Sequence, residues 1–129
     1  MTGFNWNQFY SLFKAKMNGI CNVGRYTIPK EPNYPYTDVA LLDISGGHYD
    51  LRNNEGSQTP MITLNVYSNN YDDAKCYEVS MKAKELMLSY GFQCMAGPMK
   101  IDNTDPAVAR WVARYKRVFG SGDKLMKVN

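Results

Sequence analysis

The groups in this chain that could do chemistry are few: one histidine, His48, with Asp43 and Asp50 near it, and three cysteines, Cys21, Cys76 and Cys94. His48 follows Gly46 and Gly47 and has no serine or cysteine motif arranged around it. Nucleophilic and metal chemistry both need several such groups converging, so the sequence points to no catalytic residue, metal ligand or cofactor. The cysteines are odd in number, far apart and without C-x-x-C spacing, which fits buried reduced thiols in a protein made in a cytosol. Gly46 and Gly47 lack the lysine and hydroxyl residue of a phosphate loop.

Charge offers more. Arg110, Arg114, Lys116 and Arg117 form a basic stripe, with Lys124 and Lys127 behind it. The formal charge of the whole is only +3, too small to imply nucleic acid, so the stripe reads first as the solvated face of a strand. With 129 residues, 44% apolar and 21% charged, the chain is expected to be one domain with a real core, 1–129, ending in a flexible tail, 120–129. No apolar run approaches the ~20 residues of a membrane span, and the N-terminus lacks the order of a signal peptide. Ten tyrosines and eight methionines suit both an irregular core and adaptable contact surfaces.

The elements that would position these groups centre on Pro60 to Gly91. Ile62, Leu64 and Val66 alternate with Thr63 and Asn65, predicting a half-buried strand. Ser68, Asn69 and Asn70 offer N-cap oxygens, and Asp72 and Asp73 suit a helix's first turn. Cys76, Val79, Ala83, Leu86, Met87 and Tyr90 then draw one apolar stripe. Gly91 should end the helix in the left-handed conformation, with Phe92 folded back onto Met87. Truncation of Leu86, read as buried, is expected to cost about 2–5 kcal/mol.

Upstream, Asn5 and Gln8 resemble a capping box, Phe4 and Phe9 a hydrophobic staple, and Trp6, Phe9, Tyr10, Phe13, Met17 and Ile20 continue a helical stripe. Pro29, Pro32 and Pro35 make the segment from Cys21 to Pro35 a surface connector. Tyr36 to Ile44 is a first strand, pairing with the next as a long hairpin whose polar tip, Arg52 to Thr59, is expected to be mobile. After the second helix come a strand from Phe92 interrupted at Gly97 and Pro98, a turn at Asn103 to Pro106, and a last strand. That strand places Ala109, Trp111, Ala113 and Tyr115 on one face and Arg110, Val112, Arg114 and Lys116 on the other.

In that order and spacing, TPMITLNVYS from Thr59, LMLSYGF from Leu86, Gly97-Pro98, DNTDPAVAR from Asp102 and RYKR from Arg114 resemble the tail terminator, or tail completion, proteins of long-tailed bacteriophages and prophages. The resemblance runs from Phe4 to about Phe119 and departs from the family in the insert from Gly46 to Thr59. It implies an α+β fold of order α-β-β-α-β-β, a twisted antiparallel sheet of about four strands with both helices on one face. It implies a non-enzymatic ring, usually a hexamer, that caps the head-proximal end of the tail tube, stops its growth and offers the head a docking surface. Expected partners are further copies of the chain, the tail tube protein and head-to-tail connector proteins, with DNA passing through unread and no membrane. The expected setting is the virion, after assembly in the bacterial cytoplasm. No contact residues carry over from the family. Tyr49, Arg52, Arg110, Arg114 and Lys116 are candidates for the subunit or tube interface because they should face away from the core. A head completion or head-to-tail joining protein on the portal side, and a small nucleic-acid-binding module, are the alternatives.

Overall fold

The computed structural model describes residues 4–26, 33–47, 56–120, 123 and 125. Two helices and six strands follow one another as α1 (Trp6–Lys16), β1 (Asn22–Arg25), β2 (Tyr36–Gly47), β3 (Ser57–Ser68), α2 (Asp73–Ser89), β4 (Gln93–Ile101), β5 (Ala109–Lys116) and β6 (Phe119–Gly120). The sheet runs β1-β2-β3-β5-β4, with β6 also on β3. The α+β class holds and both helices share one core with one sheet face. The expected four antiparallel strands do not: the sheet has six and is mixed, because β1 pairs with β2 in parallel.

β1 lies where the prolines predict only a connector. Asn22-Val-Gly-Arg25 has no apolar alternation to signal a strand. It is held instead by its register with Tyr36–Val39 and by α1, whose Tyr10 hydroxyl donates to Val23 O at 3.5 Å. β6 is two residues long, below what periodicity can detect.

The caps behave as local chemistry dictates, with one displacement. Asn5 Oδ1 accepts from Gln8 N at 3.0 Å, and the Phe4 and Phe9 rings meet at 6.1 Å. At the end of α2, Gly91 N donates to Leu88 O (2.9 Å) and Phe92 N to Met87 O (3.1 Å), the paired bonds of a Schellman motif, with Gly91 at φ +81°. The N-cap of α2 is Asp72, which accepts from Lys75 N, rather than Ser68, Asn69 or Asn70. Ser68 still belongs to the ladder opposite Ala109, and the chain turns through left-handed Asn70 and Tyr71 before it can start a helix.

Packing sorts the predicted stripe. Cys76, Val79, Ala83, Met87 and Tyr90 are sealed against Ile62, Leu64, Val66, Ala113 and Tyr115, whereas Leu86 is only half-buried at the margin. The large truncation cost expected of Leu86 therefore belongs to Met87, which is wholly buried. α1 adds Phe9, Phe13 and Met17 beside them. β3 is also not half-buried as expected: Thr63, Asn65 and Tyr67, on the face away from the helices, are buried too. Its central place between β2 and β5, with the Tyr36 and Arg110 side chains beside it, removes both faces from water.

Candidate functional site

His48, Tyr49, Asp50 and Arg52 lie outside the described residues, as do Pro29, Pro32 and the expected hairpin tip as far as Glu55. The rest of that tip does not run out as a polar loop: Ser57, Gln58 and Thr59 belong to β3, paired with Gly47, Gly46 and Ser45, and Ser57 is buried. Of the predicted surface residues, the structure brings Arg110, Arg114 and Lys116 onto one sheet face. They stand opposite Tyr67, Thr63 and Met61 of β3, and strand alternation keeps them away from the helices. Arg110 is fixed there. Its Nε and Nη2 both donate to Asn65 Oδ1, at 3.2 and 2.9 Å, and its guanidinium lies 5.8 Å from the Tyr67 ring centre. Burial pushes the Tyr67 phenol up, and the nearby guanidinium pulls the other way. Tyr36, directly across from Tyr67, is also pushed up, first by burial and then by Asp38. The result is a polar, partly dry platform at one end of the face, with the exposed Arg114 and the half-buried Lys116 extending from it.

Arg117 does not join this stripe. It turns under the sheet, where Nη1 donates to Tyr90 O (2.6 Å) and Leu125 O (2.7 Å) while the guanidinium stacks 3.9 Å from the Phe119 ring centre. A cation at the carboxyl end of α2 satisfies a terminal carbonyl and opposes the helix dipole. Alternation continued by one residue puts position 117 on the face of Tyr115, opposite Lys116, so Arg117 joins the basic stripe by charge alone and not by strand pattern. Leu125, in the same stretch of chain, is buried in the core.

The second feature is the hairpin. β2 and β3 pair from Tyr36↔Tyr67 out to Gly47↔Ser57, with a bulge at Leu42. β1 accompanies β2 only as far as Val39, and the Tyr26 hydroxyl then occupies Leu41 N and Leu41 O, each at 3.0 Å. From Leu42 to Gly46 the side chains are exposed, and no described strand lies on the outer side.

The remaining candidates are structural. Cys76 Sγ donates to Val66 O at 3.1 Å, and its thiol is pushed up to about 12, chiefly by burial and then by Asp73. Cys94 Sγ donates to Gly97 O, and Cys21 Sγ meets Thr37 Oγ1. Among the described residues no three of His, Cys, Asp and Glu gather as a metal set. A cleft of about 370 Å³ opens at the start of α2 between Tyr71, Asp73, Lys100 and Pro106. Two of its charges are already engaged, Asp73 Oδ1 accepting from Trp111 Nε1 at 2.9 Å and pairing with Lys100 Nζ at 3.5 Å, while Asp102 also lines it. No local pattern signals this anchor, since Asp73 and Trp111 are 38 residues apart.

The buried acids have a consequence for pH. Folding raises the Cys76, Tyr90 and Tyr115 values above their ordinary 9 and 10, so the native state holds protons that the unfolded chain releases. Their stabilisation is complete below about pH 9 and falls as pH rises through the native values. Urea midpoints measured from pH 8 to 11 should decline steadily above pH 9, while Cys76 stays unreactive to thiol reagents in the folded protein at pH 8. A flat profile would mean that these groups are wet.

Compared with known proteins, the chain matches no protein-family model and no curated sequence. Among the described residues, no helix is long and apolar enough to cross a membrane.

Proposed function

We propose that the protein is a structural, ring-forming component of a long-tailed phage, of the tail-terminator kind. The ring, a hexamer by resemblance to that family, sits on the head-proximal end of the tail tube, stops its growth and presents the surface on which the head docks. Its partners are copies of itself, the tube protein and the head-to-tail connectors. DNA passes through it without being read, and it works in the virion after assembly in the host cytoplasm, using neither catalysis nor a cofactor. The observation that carries this reading is the outer half of the β2–β3 hairpin. Leu42–Gly46 stands exposed, its strand edge open among the described residues, an arrangement suited to contact with another chain.

The test is the solution mass by light scattering, alone and with a tail tube protein from the same source. A closed oligomer in either condition, bound to tube ends, is expected. A monomer in both that binds portal complexes instead would replace this reading with a portal-side joining protein.

Nucleic-acid binding is a second reading, favoured by Arg110, Arg114 and Lys116 standing on one face with no ion pair among the described residues. It requires affinity that falls with salt, by about 0.9 log units per tenfold salt for each phosphate neutralised. It also requires loss of binding in Arg114→Glu/Lys116→Glu. DNA affinity unchanged by that double substitution would remove it.

A further inference from the structure

We infer that two copies of this chain stack through the sheet face that carries the basic stripe, about a two-fold axis parallel to β3 that lays β2 of each copy on β5 of the other. This goes beyond the ring reading: it uses the face of the sheet and leaves the open edge of β2 untouched.

The ladders fix which charges stand on that face. β2 contributes the acids Asp38 and Asp43, β5 the bases Arg110, Arg114 and Lys116, and β3 between them only uncharged side chains. The acidic and basic columns therefore lie one strand to either side of β3, at about 4.8 Å each. Both helices pack on the opposite face, and no described helix or strand covers this one.

Two ways of stacking a sheet face on its own copy keep the strands aligned. A two-fold axis perpendicular to the strands sets β2 on β2 and β5 on β5, acid against acid and base against base. An axis parallel to β3 exchanges left for right and sets each acidic column on a basic one. Like charges facing each other across an interface are costly, so charge selects the second. That axis also keeps every residue row at its own level along the strands. Stacked sheets cross at about 30°, which displaces β2 against β5 by roughly 2–3 Å, less than half the ~7 Å between rows.

Side chains agree with this placement. Asp43, Met61 and Lys116 share a row, so each Asp43 meets the partner's Lys116. Asp43 is exposed, and its carboxylate accepts only from Ser45 Oγ among the described residues. Arg114, long and exposed, meets the partner's Ala40, whose small side chain leaves room to reach Asp43 along the strand. Met99, 44% exposed, stands over the partner's Gly24, since both share the row of Asp38 and Val112. The face measures about 25 Å along the strands and about as much across them, roughly 600 Å² on each copy, which reaches the lower end of specific interfaces. Burial of Met61, Val112 and Met99 supplies affinity, and charge supplies orientation.

Sedimentation equilibrium of the full chain over a concentration series tests the stack. The wild type should pass from monomer to dimer mass. Arg114→Glu with Lys116→Glu sets carboxylates against Asp43 and should weaken the dimer about tenfold or more, with an unchanged thermal melt showing that the fold is intact. Lys116→Glu combined with Asp43→Lys exchanges the two signs and should recover most of what Lys116→Glu alone loses, and this exchange carries the test if the double substitution melts early. Leu42→Glu, on the free edge of β2, should leave the dimer as it is. A wild type that is monomeric at every concentration overturns the stack, as does a charge exchange that recovers nothing. An assembly that breaks with Leu42→Glu and survives Arg114→Glu/Lys116→Glu overturns the stack and leaves the ring standing.

Discussion

Replacing Phe9 with alanine should lower unfolding free energy by about 3–5 kcal/mol, the range for a large aromatic removed from a packed core. Phe9 is wholly buried, and its ring meets five others. Phe4 and Trp6 lie at 6.1 and 5.9 Å, Phe13 at 5.9 Å, and Tyr90 and Phe92 approach edge-on at 6.2 and 5.6 Å. The last two flank the glycine that ends α2, so one side chain on α1 sets how the two helices sit over the sheet. Neighbouring rings cannot close the space, because each is held by its own element, and the residual cavity adds to the lost transfer energy. With total stabilities of order 5–15 kcal/mol, the variant should stand near its unfolding threshold at physiological temperature. Urea denaturation monitored by far-UV circular dichroism measures it. A loss under about 1 kcal/mol would mean that α1 is an appendage and not part of the core.

The importance of Phe9 is legible in the sequence, because capping and helical spacing are local. Asn5, Gln8 and the aromatic stripe follow one another closely along the chain, and so do Met87, Gly91 and Phe92. β3 and β5 are legible for the same reason, since a period of two needs only a short window. What escapes is set by distant contacts. β1 exists because β2 is there to pair with it, and the α2 cap falls at Asp72 because β3 continues through Ser68 opposite Ala109. Arg117 resembles its three basic neighbours in type and position, yet its direction is decided by Tyr90 and Leu125. At the candidate interface, the facing of Arg110, Arg114 and Lys116 can be read from alternation. The bond from Arg110 to Asn65, 45 residues away, cannot. The open edge of β2 is hidden for the same reason, since it depends on where β1 stops.

Gly97→Ala should destabilise by about 2–5 kcal/mol, although it adds one methyl to a partly exposed edge strand. Two costs combine. Gly97 sits at φ +81°, a region in which a side chain strains its own backbone by about 1–2 kcal/mol. A Cβ there would also run into the Val112 carbonyl oxygen, with Ala113 Cα at 3.1 Å and Met99 N at 3.0 Å. Those atoms are main chain and cannot rotate away. β5 lies between β3 and β4 and is held by both ladders, so the strain must be relieved by β4, whose pairing already shifts register between Ala96 and Met99. Gly19 separates the two costs. It has φ +84°, and a methyl added there would meet nothing within 4 Å, so Gly19→Ala carries the backbone cost alone. Denaturation of both variants should therefore show Gly97→Ala the worse by about 1–3 kcal/mol, the usual range for overpacking. Equal losses would mean that β4 moves off β5 without resistance.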